Sequence, residues 1–267
     1  MRRSVSNKGL ATPVSLSFLI FSFTILTAAT YYVAMSSVSS RSNKLSYAAA
    51  KQDMLVLENT IRSVSWSSGS SVIKEFQGHG GEFETKPNDR RLVINLTIGS
   101  TSEIVFNSTV GYVRYELPAA DISEVGVYLQ GDTKPILNQS FLDTAQMYIR
   151  VNNDSREIYL GYRPLAVSFL DSSQNGQVNV IRIFIINLNY SESLLFTGGF
   201  RLRIRCLNVT SQTRSYNITD SVSYAAVKAT VDGETGTVHL PLSSGDSFTL
   251  VRLEILVCNV RLEEVNL

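Results

Sequence analysis

From Gly9 to Ser40 the chain carries no charged side chain, and most positions from Leu10 to Met35 are apolar. An uncharged run of that length is long enough to cross a bilayer as a helix, which takes about 20 residues. Behind it the pattern acquires a helical period. Tyr47, Ala50, Met54, Leu57, Ile61 and Val64 recur at spacings of three and four, while Lys44, Lys51, Asp53, Glu58 and Arg62 fall off that stripe. Such spacing draws one apolar seam along a helix. Pro13 is the only proline before residue 87 and lies in the first turn, where a missing N–H matters little. The pattern predicts one helix from about Leu10 to Trp66, roughly 85 Å long at about 1.5 Å per residue.

Ser67-Ser-Gly-Ser-Ser71 predicts the stop, with Gly69 supplying the chain reversal. Beyond it the period falls to two. Short runs rich in Val, Ile, Tyr and Phe, such as Arg91–Leu96, Tyr112–Leu117 and Ile158–Tyr162, are separated by Gly, Asn, Asp and Pro. Longer runs come later in the chain: Val178–Asn187, Phe200–Asn208 and Phe248–Val260. Strands at this spacing with turn signals between them predict an all-β, sandwich-like head, with an immunoglobulin-like arrangement among the options, as one large or two small β domains. Asn175-Gly176 reads as a hairpin turn between Leu165–Leu170 and Val178–Asn187. Asp171, Ser173, Asn175 and Gly176 also match the first half of a calcium loop, but Arg182 stands where a bidentate Glu is required, so the turn is the better reading. The fold class expected is α+β: a long N-terminal helix, then a β-rich head over residues 67–267.

Arg2, Arg3 and Lys8 precede the apolar run. A basic N-terminal flank stays cytoplasmic and directs the chain beyond the span outward. Thr27-Ala28-Ala29 offers a conventional secretory cleavage site, but the run is longer than the usual apolar core of such signals. Lys8-Gly9-Leu10-Ala11-Thr12-Pro13-Val14 instead resembles the class III signal of archaeal type IV pilins. That resemblance covers about the first quarter of the chain. It implies a leader of residues 1–9, cleavage between Gly9 and Leu10 by a prepilin peptidase, and a mature chain that keeps its apolar helix over residues 10–66. It further implies a single-pass protein of the cell membrane with an extracellular head, joined to sister subunits through the helix in a surface filament. The sequence departs from bacterial pilins at the fifth mature position, where Val14 stands in place of Glu. Ser15, Ser17, Ser22, Thr24, Thr27, Ala28, Ala29 and Thr30 would let such helices approach closely and bond across.

Charge and chemistry change this picture little. Lys+Arg number 24 against Asp+Glu 23, which leaves no basic patch for nucleic acid. Cys206 and Cys258 both fall in long strands; a disulfide and two buried free thiols fit equally. Seven Asn-x-Ser/Thr sequons, at Asn95, Asn107, Asn138, Asn153, Asn189, Asn208 and Asn217, all lie in the head. They read as glycan acceptors on an external surface, or as accidents of a Ser/Thr-rich chain. His79 and His239 are far apart, and no nucleophile elbow, phosphate loop or zinc-binding helix is present. No catalysis, metal or cofactor is expected. The sequence points to a pilin-like structural subunit. A membrane-anchored module for adhesion or sugar binding is the alternative, and an exported hydrolase is disfavoured.

Overall fold

The alternating segments of the head form thirteen strands among the described residues of a computed structural model. The described residues are 11–118, 126–138, 144–152, 155–173, 176–219, 222–243 and 249–265. Helix α1 spans Ala11–Val64. The strands are β1 (Ser71–Phe76), β2 (Glu82–Ile98), β3 (Thr101–Pro118), β4 (Tyr128–Gln130), β5 (Ala145–Asn152), β6 (Ser155–Tyr162), β7 (Leu165–Ser173), β8 (Gly176–Asn187), β9 (Leu195–Phe196), β10 (Phe200–Ile218), β11 (Tyr224–Val231), β12 (Glu234–Pro241) and β13 (Thr249–Glu264).

They form two curled sheets. One has the order β1-β10-β13-β8-β7; the other runs β12-β11-β2-β3-β6-β5-β4, with β9 added beside β2. The named pairs are antiparallel except β8 and β13, which run parallel from Val251 opposite Asn179 to Asn259 opposite Asn187. The β7–β8 hairpin forms as expected, but Ser173 pairs with Gly176. Gly176 is therefore the first residue of β8 and not part of the turn, while Asn175 lies outside the described residues.

Period-two patterning decides which faces meet. Along β13 the odd residues Val251, Leu253, Ile255 and Val257 are buried while Arg252, Glu254 and Leu256 are not. Those buried side chains join Ile181, Ile183 and Ile185 of β8, Leu92, Ile94 and Leu96 of β2, and Ala225, Val227 and Ala229 of β11 in one apolar cluster between the sheets. Burial of this kind stabilises by about 25 cal/mol per Å² of apolar surface.

The helix divides between two units. Residues up to Ser46 belong to one; Tyr47–Val64 belong with the strands in the other. All six stripe residues, Tyr47, Ala50, Met54, Leu57, Ile61 and Val64, are buried, none more than 5% exposed. The helix is shorter than the sequence predicts. It ends at Val64, and the bulky Trp66 takes a left-handed conformation (φ 69°) before Gly69 (φ 84°). That is costly for a residue with a Cβ and persists only where the surroundings impose it. Here the Trp66 ring packs edge-on against Phe184 of β8, with centroids 5.4 Å apart.

Candidate functional site

Among the described residues the first half of α1 lies uncovered. Every side chain from Val14 to Ser39 is exposed, and Phe18, Phe21 and Phe23 each show 64–68% of their surface. By length and composition the segment can cross a membrane. Its polar groups are met locally. The hydroxyls of Thr24, Thr27 and Thr30 donate to the carbonyls of Ile20, Phe23 and Leu26 at 2.9, 2.8 and 2.7 Å. Bonded in this way, the backbone and these hydroxyls ask little of water.

The second half is seated in the head. Asp53 accepts a bond from the His79 imidazole at 2.9 Å, and the His79 backbone N–H donates to the Tyr115 hydroxyl of β3 at 3.2 Å. At the far end the Trp66 N–H donates to Cys258 Sγ of β13 at 3.3 Å. The seat is wider than the stripe: Glu58, off the stripe in sequence, is 2% exposed. Gln130 of β4 and Tyr162 of β6, both in the larger sheet, stand beside it, which the spacing of apolar residues does not encode. Burial raises the Glu58 pKa above the ordinary carboxylate value, partly offset by Arg62 and by a hydrogen bond with Gln130 of β4. The Tyr162 hydroxyl, which feels the Glu58 charge, is buried without a hydrogen-bond partner among the described residues.

Among the described residues the structure brings only one pair of the sequence-predicted site residues together. Cys206 and Cys258 are both fully buried, with their thiol sulfurs 3.6 Å apart and unbonded. The sequons are dispersed. Asn107, Asn138, Asn208 and Asn217 are exposed, Asn95 and Asn189 are half-buried, and Asn153 lies outside the described residues. Where a sequon side chain is bonded, the oxygen takes the bond. Asn95 accepts from Ser102 at 3.2 Å, Asn107 from Arg91 at 3.0 Å, Asn189 from the Asn88 N–H at 3.0 Å and Asn208 from Asn259 at 2.7 Å. Those bonds leave Nδ2, the atom a glycan would occupy, outside the contact. Lys8, Gly9 and Leu10 also lie outside the described residues.

Sequence reasoning missed a row of aromatic rings on the outer face of the larger sheet. Tyr128 pairs with Tyr148, and Tyr148 with Tyr159. Ring centroids are 5.4 Å apart for Tyr128–Tyr148, 4.7 Å for Tyr148–Tyr159 and 4.7 Å for Tyr159–Tyr112. Arg90 lies over the Tyr159 ring at 5.2 Å and bonds its hydroxyl and Asp232; Arg150 lies over Tyr148 at 5.6 Å. Gly161 makes room, since a Cβ there would sit 2.7 Å from the Tyr159 hydroxyl. Burial, with a hydrogen bond to Asp89, pushes the Tyr112 pKa up to about 12, so its hydroxyl stays protonated at ordinary pH. The stacked faces fix strand register, and the centre of the row is covered: Tyr159 is 4% exposed and its hydroxyl is held by Arg90. The signal was present as four tyrosines, but only the strand register puts them in one row. No protein-family model, no curated protein and no solved structure matches the chain.

Proposed function

We propose that this chain is a pilin-like structural subunit of a surface filament, processed after Gly9 and assembled through its apolar helix. One observation carries the reading: a single helix is bare and apolar over Val14–Val38, yet buried along its stripe over Tyr47–Val64. A plain anchor needs only the first half. A spine that must hold its own head and also meet its sisters uses both. The class III motif at Lys8-Gly9 adds the processing step. The head then faces solvent, and its sequons are candidate glycan sites. Intact-mass analysis of the native protein tests this. A mature chain starting at Leu10 supports it, whereas one starting at Met1, or after Ala28 or Ala29, overturns it. A membrane-anchored binding module is the second reading, favoured by the tyrosine–arginine row. It calls for an uncleaved N-terminus and a monomer in detergent.

A further inference from the structure

The end of the helix, a bulge in β10 and the two sulfurs meet at one place. Besides the Trp66 bond to Cys258, the Gly69 N–H donates to the Cys206 carbonyl at 2.8 Å and the Cys206 N–H donates to the Ser70 carbonyl at 3.0 Å. Ser68 Oγ donates to the Leu207 carbonyl at 3.4 Å. The segment that stops the helix is thus tied to the residues that carry the thiols. Cys206 pairs with Val260 and Val209 with Cys258, so the cysteines are diagonal neighbours on adjacent strands. The register shift between Cys206 and Asn208 leaves Leu207 as an extra residue and tightens the local twist. The sulfurs, 3.6 Å apart, belong to the only two cysteines of this chain.

We propose that Cys206 and Cys258 close to a disulfide in the exported protein, a covalent staple between β10 and β13 where the helix is fastened to the head. The placement outside the membrane rests on the function proposed above. In the reaction two S–H bonds break and one S–S bond forms. The two protons and two electrons pass to the disulfide of an external thiol–disulfide oxidant, whose S–S bond breaks and which leaves as two thiols. Timing follows from burial, which pushes the Cys258 thiol up to about 12. Thiolate is the attacking species, so the folded head reacts slowly. The bond forms while β10 and β13 are still exposed to solvent and is sealed from reductants once they pair. A pull on the helix then passes through Trp66–Ser70 into two strands that cannot slide apart.

Two preparations of the full-length chain in detergent test this. One is isolated natively; the other is denatured, reduced and refolded with reduced and oxidised glutathione. Both are alkylated in guanidinium without reductant and mapped by mass. Linked Cys206 and Cys258 peptides in both are expected. The native bond should also resist a phosphine reductant at least roughly tenfold longer in the folded chain than in guanidinium. Replacing both cysteines by alanine should lower the head's Tm by about 10 °C. Alkylated thiols or glutathione adducts in the refolded chain would overturn the staple whatever the topology. Linkage after refolding with free thiols in the native protein would instead overturn the exported placement, and the natural staple with it.

Discussion

The two halves of α1 share a backbone and differ in their solvent. Over Val14–Val38 the large apolar residues expose 53–75% of their surface, whereas the stripe over Tyr47–Val64 exposes at most 5%. Both halves are apolar enough to need covering. Among the described residues, only the second half is covered. The lesson is that hydrophobicity alone does not tell a core element from an assembly element; the periodicity does. A one-sided stripe with charges between its members announces a folded partner. An all-round apolar run announces lipid or other copies of itself.

The largest expected effect breaks the comparison with one charge. Leu57→Asp places an unpaired carboxylate in a fully buried site and should destabilise the head by more than about 4 kcal/mol, seen as loss of the cooperative β melt by circular dichroism. Phe21→Asp should leave that melt within about 0.5 kcal/mol of the parent, yet abolish incorporation into filaments or membranes. Equal loss of the melt in both variants would mean that the halves are not energetically distinct.

Truncation comes next. A chain beginning at Tyr47 should be soluble without detergent and melt like the full protein. One beginning at Ser67 uncovers the seat of six apolar side chains and should lose several kcal/mol, at about 1.5–3 kcal/mol for each large one. Identical denaturant midpoints for the two would show that the stripe contributes nothing.

A smaller effect sharpens the seat electrostatically. The folded pKa of Glu58 is raised, so its proton is held more tightly in the fold than in the unfolded chain. Its contribution is fully present below the unfolded value of about 4.3 and is lost as pH rises through the folded value. Glu58→Gln should therefore raise Tm at pH 7, and the gap should close as pH falls to about 4. Glu84 has the opposite sign. Burial would raise it, but Lys86 and Arg114 outweigh that and hold it low, so its contribution is lost in acid. Comparing Glu58→Gln with the parent at each pH isolates the helix. A gap that widens in acid would sink the assignment.

The smallest effect is a control on the head's surface. Glu75 and Arg201 pair at 3.2 Å with both side chains well exposed. Glu75→Ala should change stability by under about 0.5 kcal/mol, measured by the same denaturant titration.

What could be read in the sequence was what is local. The stripe from Tyr47 to Val64 was legible because a helix presents residues three and four apart to one partner. Strand positions in the head were also legible, though not their extent: the run Arg91–Leu96 falls in the second half of β2, Glu82–Ile98. Pairing was not legible. The parallel match of Ile183 with Ile255 joins residues far apart in sequence, and nothing in either strand's period names the other. The same holds for the tyrosine row and the contact of Cys206 with Cys258, which register between strands makes, and for the burial of Glu58, which the packing of the helix into the head makes. Trp66 in a left-handed conformation contradicts local preference outright, which marks the place where tertiary packing overrides it.

The position of β13 in its sheet has a consequence for biosynthesis. This strand comes last in chain order among the described strands, yet lies between β10 and β8, in the middle of its sheet. The helix stripe is made first. A ribosome delivers at about 5–20 residues per second, so the roughly 200 residues from the stripe to β13 take on the order of 10–40 s. For that interval the stripe of the nascent chain lacks the strand that fastens its end. A factor that shields apolar helices would act in that window, and a chain stopped before Thr249 would leave the window permanently open.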